Sequence, residues 1–119
     1  MTITLFELRR LCKLWKKRLR LEDWTTTVDF GTQEQLGSDL GQTRYDPRSA
    51  AADILIAPAA EAENQYLDGG VEQTIIHELL HLVIHGWIEY RKEDLLQERA
   101  INTIADALYW AHHSRPRKR

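Results

Sequence analysis

The feature that most constrains the fold is a largely apolar segment from Val71 to Gly86, called here the apolar run, because its pattern predicts a helix of about four turns that is buried on most sides. It contains no proline and ends at a glycine suited to a left-handed C-cap. If each residue is turned by about 100°, the apolar side chains cover roughly 200° of the surface. They are Ile75, Ile76, Leu79, Leu80, Leu82, Val83 and Ile84. The remaining sector, called here the polar seam, consists of Thr74, His77, Glu78, His81 and His85.

Two histidines of the polar seam have the spacing of metal ligands. His77 and His81 are four residues apart, so they lie on one helix face about 6 Å apart along the axis, and both imidazoles can bind one Zn²⁺. Glu78 lies about 100° round the helix from His77, where it can act as general base on a metal-bound water. A single buried histidine is more often a hydrogen-bonded core residue. Three histidines and a glutamate on one seam instead favour a zinc site, and His77-Glu78-Leu79-Leu80-His81 predicts a zinc hydrolase.

A third protein ligand must come from beyond the apolar run. His85 is about 12 Å along the axis from His77, too far for one ion whose Zn–N bonds are about 2.0 to 2.1 Å. If the first helix ends near residue 86 and a second begins near residue 93, Glu98 returns level with His81. Glu98 also lies on the inward stripe of that second helix, which contains Ile101, Ala105 and Leu108.

We therefore expect Glu98 to be the third ligand, and an ordinary surface glutamate is the alternative. The other nearby carboxylates are more simply interpreted as solvated charges or as part of a helix N-terminus. They are Glu89, Glu93 and Asp94.

Two segments stand out together: His77-Glu78-Leu79-Leu80-His81 and Glu98-Arg99-Ala100-Ile101-Asn102-Thr103-Ile104-Ala105. They resemble the ImmA/IrrE-type peptidases, a branch of the gluzincins that carries HExxH on one helix and an E-x-x-A-N-x-F-A-like stretch on the next. Position by position, the resemblance implies that His77, His81 and Glu98 bind zinc and that Glu78 is the base. Asn102 and Ala105 match the family pattern, whereas isoleucines at 101 and 104 replace its alanine and phenylalanine. The match covers roughly residues 71 to 110, and compact phage metallopeptidases look similar.

The composition predicts one domain. At 119 residues and 43% hydrophobic content, the chain can build one core but is too short for a second, so we expect a single domain over residues 1–119. Cys12 is the only cysteine, which excludes an internal disulfide and a cysteine-ligated zinc site and is typical of a reducing compartment. Charged residues or histidines interrupt every apolar run, and the first 20 residues lack the continuous core of a secretory signal. These features predict a cytoplasmic protein without a membrane partner.

The net charge of −2 conceals an uneven distribution. The first 20 residues carry about +6, the tail at 115–119 about +4 and the segment between them about −12. A 3-4-3-4 apolar spacing predicts an amphipathic helix over residues 1–20, with its basic side chains outside. The apolar positions are Leu5, Leu8, Cys12, Trp15 and Leu19, and the basic ones are Arg9, Arg10, Lys13, Lys16, Lys17 and Arg20. This face is either a site for nucleic acid or an acidic partner, or a solvated surface, and the basic tail is expected to be frayed.

Three short strands are predicted before the apolar run, at residues 24–30, 43–45 and 53–57. With the helices, they predict an α+β fold in which a small three-stranded sheet packs on the HExxH helix, followed by a glutamate-bearing helix. The resemblance implies that this is a single minimal zincin-like domain. By the resemblance, Ile54-Leu55-Ile56 is the candidate edge strand for a peptide substrate, and an ordinary buried core strand is the alternative. Residues 57–70 are expected to form a loop leading to the active helix.

The leading functional hypothesis is hydrolysis of peptide bonds. Three protein ligands leave a fourth zinc position for a water, whose pKa falls to about 7 in such sites, and Glu78 takes its proton. The candidates for an oxyanion donor are Tyr66, Tyr90 and Tyr109. Asn102 and Asp106 either orient a ligand or are surface residues. The alternatives are a non-catalytic regulatory module that keeps the zinc site and a DNA-associated protein.

Overall fold

The computed structural model describes residues 3–58, 70–84 and 95–113. Within them the chain forms helices α1 (Leu5–Arg18), α2 (Gln33–Leu36), α3 (Gly70–Ile84) and α4 (Leu95–Ala111), and strands β1 (Thr25–Phe30), β2 (Gly41–Asp46) and β3 (Ala51–Ile56). These elements confirm the predicted α+β class with a small three-stranded sheet. The expected helix end at Gly86 and most of the loop predicted over residues 57–70 lie outside the described residues.

Helix α1 presents its apolar stripe to the core. It begins at a capping box on Thr4. Of the five positions that the 3-4-3-4 spacing predicts, three are almost fully buried, Leu8, Cys12 and Trp15, and Leu5 and Leu19 are half-buried. The basic side chains lie outside, as expected, except that Lys16 is half-buried. The helix ends at Arg18, earlier than the predicted 1–20 range, because the chain turns away through Arg20, whose φ is +59°.

Strand β3 occupies the centre of the sheet, whose order is β1-β3-β2. β1 runs parallel to β3 and β2 runs antiparallel to it. The prediction that Ile54-Leu55-Ile56 forms an edge strand is therefore wrong, and the alternative of a core strand is confirmed. Ile54 and Ile56 are 1% and 0% exposed, because a central strand covered on one face by helices buries alternate side chains most completely.

A single-turn helix, α2, lies between β1 and β2, and hydrophobic periodicity does not predict so short an element. Thr32 caps this helix, because its side-chain hydroxyl accepts a hydrogen bond from the backbone N–H of Gln35. Leu36 packs so closely under Gly31 that a Cβ there would lie 2.6 Å from the leucine Cδ1. The chain then reverses at Gly37, with φ +61°, and enters β2.

Helix α3 is the central element, since it contacts α1, α4, β2 and β3. Its apolar residues Ile75, Ile76, Leu79 and Leu82 are at most 2% exposed, whereas Val83 is 39% exposed despite its place in the predicted apolar sector. Helix α4 packs on α3 through its predicted inward stripe, in which Ile101 and Ala105 are almost fully buried. No helix in the described ranges is long and apolar enough to cross a membrane.

The first and last helices meet at Glu72, on α3. Trp15 of α1 donates its indole N–H to Glu72 Oε2 at 2.8 Å, and Nε2 of His113 lies 3.0 Å from the same oxygen. The ring of His112 packs edge-on against Trp15, with centroids 5.0 Å apart. One carboxylate therefore links α3 to both α1 and the end of α4.

Candidate metal centre

Three side chains of the predicted ligand set meet between α3 and α4. His77 and His81 come from successive turns of α3, and Glu98 comes from the first turn of α4. Each offers one ligand atom, and these atoms all lie within 4.8 Å of one another. Nε2 of His77 is 2.9 Å from Glu98 Oε2, and Nε2 of His81 is 3.9 Å from Glu98 Oε1. This group, called here the ligand cluster, could hold a metal ion.

The donor set of the ligand cluster fits a tetrahedral ion in both spacing and chemistry. Two atoms bound to one tetrahedral Zn²⁺ at about 2.0 to 2.2 Å are separated by roughly 3.4 Å. The separations of 2.9 and 3.9 Å between histidine nitrogens and glutamate oxygens lie on either side of that value. Two imidazoles and one carboxylate are also a donor set of catalytic zinc sites, which keep the fourth position open.

Asn102 orients the first histidine. Asn102 lies one helical turn after Glu98 on α4, and its Oδ1 is 2.7 Å from Nδ1 of His77. Because an amide oxygen only accepts, Nδ1 carries the proton in this pair, and Nε2 is the nitrogen presented to the ligand cluster. Of the two interpretations left open for Asn102, the structure shows the contact with His77, a predicted ligand.

Burial and neighbouring charges act differently on the two histidines. Burial disfavours protonated His77, but its hydrogen bond to Glu98 and the negative charges of Glu78 and Glu98 outweigh burial, so the pKa of His77 is raised. Burial, together with the adjacent His77, lowers the pKa of His81 to about 4. At neutral pH His81 is therefore uncharged and has a lone pair available to a metal.

Glu78 lies beside the ligand cluster, with Oε2 4.0 Å from Nε2 of His77, and is 5% exposed. The Thr43 hydroxyl donates to its Oε1 at 2.7 Å and also lies 3.1 Å from its backbone carbonyl oxygen. Burial raises the pKa of Glu78 to about 7, against the opposing effects of His77 and Thr43. A carboxyl group with such a pKa is suited to taking up and returning a proton near neutral pH.

A cleft of about 480 Å³ opens onto the ligand cluster. One wall is the facing surface of α3 and α4, and the other is β2 with the turn at residues 38–40. Among the described residues that line it, Asp39 is the only charged side chain apart from Glu78 and the ligand cluster. A cleft of this size accommodates a short segment of an extended chain or a small molecule.

No family model, curated protein or solved structure matches the chain. The function of the site is therefore inferred from its own features. They are two histidines one turn apart, a glutamate from the next helix, a buried glutamate beside them and the open cleft.

The cleft contains residues that the sequence does not single out. Thr43 is 35 positions from Glu78, and Gly41 lies on the same strand, so no local spacing connects them with the HExxH helix. Tyr45 also lines the cleft. The sequence signal that could have found these residues is weak: a polar, glycine-punctuated strand that precedes the apolar strand β3.

Other residues considered from the sequence lie elsewhere. Tyr109 stacks on His113, with ring centroids 4.4 Å apart, and does not line the cleft. Asp106 accepts hydrogen bonds from the side chains of Gln73 and Trp110. Six candidates or alternatives lie outside the described residues: Tyr66, His85, Glu89, Tyr90, Glu93 and Asp94.

Proposed function

We propose that this chain is a zinc-dependent metallopeptidase of the gluzincin type, similar to the ImmA/IrrE peptidases, and that it acts on peptides or proteins. The observation that carries the proposal is the ligand cluster at the base of an open cleft, with Glu78 beside it. A zinc site that only stabilises a fold needs no buried glutamate next to it and usually closes its fourth position. When bound, Zn²⁺ supplies Lewis acidity to the scissile carbonyl and to the attacking water.

The proton transfers are assigned to Glu78. It takes a proton from the attacking water and returns it to the leaving amine. Its Oε2 is 4.0 Å from Nε2 of His77, which is near enough to reach a water beside the ligand cluster. Asn102 keeps His77 in the tautomer that presents Nε2 to the metal.

The outer edge of β2 at Gly41 and Thr43 is the proposed binding site for the substrate backbone. The amide of Ala57 donates to the Leu40 carbonyl at 2.8 Å, which marks a hydrogen-bonded pair in the antiparallel ladder. Because such pairs alternate, the backbone N–H and C=O groups of Gly41 and Thr43 point away from β3. These two residues line the cleft, and no strand in the described ranges pairs with that edge of β2. An extended peptide can add to it as a further strand.

Substitution of Glu78 by glutamine tests the proposed function. We expect the zinc-loaded wild-type protein to cleave members of a peptide library. Glu78→Gln should retain one equivalent of zinc but lose at least about 10²-fold in kcat, because the base is removed and no ligand is lost. Turnover is measured by fluorogenic or mass-spectrometric assay, and metal content by elemental analysis.

Glu34→Gln is the matched control, since it changes an exposed carboxylate on α2. It should cleave at the wild-type rate. Unchanged turnover in Glu78→Gln would reject the assigned mechanism. Stoichiometric zinc without cleavage of any peptide would favour a non-catalytic regulatory or DNA-associated module.

A further inference from the structure

Strand β2 touches Glu78 at two positions. The Thr43 hydroxyl lies 2.7 Å from Glu78 Oε1, and Gly41 lies so close that a Cβ there would be 2.7 Å from Glu78 Oε2. Residues two apart in a strand point to the same face, so both contacts come from the face of β2 that is turned to α3. One strand therefore both binds and makes room for the carboxylate.

The two contacts assign different tasks to the two oxygens of Glu78. Thr43 engages Oε1, and Oε2 is the oxygen that lies 4.0 Å from Nε2 of His77. The absence of a side chain at Gly41 leaves the space that Oε2 occupies. A glutamate has three side-chain torsions, so a hydrogen bond to one oxygen and a steric limit beside the other restrict where the carboxylate can lie.

We propose that Thr43 is a positioning residue that holds Glu78 in its working orientation, with Gly41 supplying the required space. This inference deepens the proposed function and rests on it. Gly41 and Thr43 also belong to the strand edge proposed to bind the substrate backbone. Residues 41–43 of β2 would therefore determine both the register of the bound substrate and the orientation of the Glu78 carboxylate.

A positioning role predicts a loss in kcat rather than in substrate binding. Thr43→Val keeps the shape of the side chain but removes the hydroxyl donor. We expect it to lower kcat by roughly 10²-fold at nearly unchanged KM, because small misplacements of a reacting group have effects of that order. Thr43→Ser restores the donor and should recover kcat to within a few-fold of wild type.

Thr27 provides a matched control. Its hydroxyl also donates to a carboxylate, Asp53 Oδ1 on the neighbouring strand β3, at 2.6 Å. This pair lies on the exposed face of the sheet. Thr27→Val should leave kcat and KM unchanged. Zinc affinity, measured by chelator competition, should be the same in all three threonine variants, since none of them changes a ligand.

Gly41→Ala tests the steric half of the proposal independently. The added methyl must displace Glu78 or β2, so kcat should fall while one equivalent of zinc stays bound. If Thr43→Val and Thr27→Val have equal kcat, or if Thr43→Ser is as impaired as Thr43→Val, the positioning role is overturned.

Crystal structures of zinc-loaded wild type and Thr43→Val separate this inference from the proposed function. If the wild-type protein cleaves no peptide, the proposed function fails, yet the position of Glu78 can still be compared. A carboxylate that turns away from His77 in Thr43→Val supports the positioning role. A carboxylate that stays in place contradicts it.

Discussion

At the scale of single residues, the proposed metal site needs a third ligand beside His77 and His81. The candidates are the carboxylate of Glu98 and the imidazole of His85. Glu98 Oε2 is 2.9 Å from Nε2 of His77. Helical spacing predicts that His85, which lies outside the described residues, is about 12 Å from His77 along the axis. We expect Glu98→Ala to weaken zinc binding by at least about 10²-fold and His85→Ala to leave it nearly unchanged. Zinc titrations decide between them, and the reverse outcome would refute the gluzincin ligand set.

Asn102 allows a second test at this scale. Removing the partner of a ligating histidine typically lowers metal affinity by about 10- to 100-fold, so Asn102→Ala should weaken zinc binding within that range. Asn102→Asp keeps an acceptor for Nδ1 of His77 and should bind zinc nearly as well as wild type. The control is Thr103→Ala, because the exposed Thr103 hydroxyl donates to the Arg99 carbonyl of its own helix. Equal affinity in all three variants would contradict the orienting role.

The ligand cluster could be predicted from sequence because its geometry is local. His77 and His81 are related by helical spacing, and Glu98 follows from the length of a helical hairpin and an inward stripe. Thr43 and Gly41 could not be predicted in this way. Their contacts with Glu78 form only when β2 packs on α3. Hydrophobic periodicity in the sequence does not predict which strand packs on which helix.

At the scale of elements, the proposed use of the β2 edge makes a periodic prediction. In an antiparallel pair only alternate residues of a strand bond to a given neighbour. A scan in which successive substrate amides are N-methylated should therefore raise KM at every second position and leave the intervening positions unaffected. Each lost hydrogen bond costs about 1 kcal/mol, or several-fold in KM. A uniform response along the peptide would exclude strand addition.

The order of the strands shows where prediction from the sequence ends. The short apolar run Ile54-Leu55-Ile56 predicts a strand, but edge and central strands share that pattern. The position of β3 is decided by pairing with β1 on one side and β2 on the other. Such pairing depends on the connections between strands, including the unpredicted helix α2.

At the scale of the whole molecule, metal binding and folding should be coupled, because the ligand cluster joins α3 to α4. A ligand at about 100 times its Kd stabilises the folded state by roughly 2.7 kcal/mol, which for a chain of this size is on the order of 10 °C in Tm. We expect a chelator to lower Tm by that order and added zinc to restore it. Glu98→Ala should respond to neither treatment, and an equal Tm with and without metal would rule out the coupling.

The meeting of Trp15 and His113 on Glu72 has a practical consequence. Glu72 precedes His77 by five residues, which places it about 140° round α3 from that histidine, on the opposite side from the cleft. Helix α1 and the end of α4 are thus held together on the side of α3 away from the cleft. A covalent cross-link between α1 and the last turn of α4 would close a long loop and restrict the unfolded chain strongly. Such a cross-link would stabilise the molecule and leave the cleft untouched.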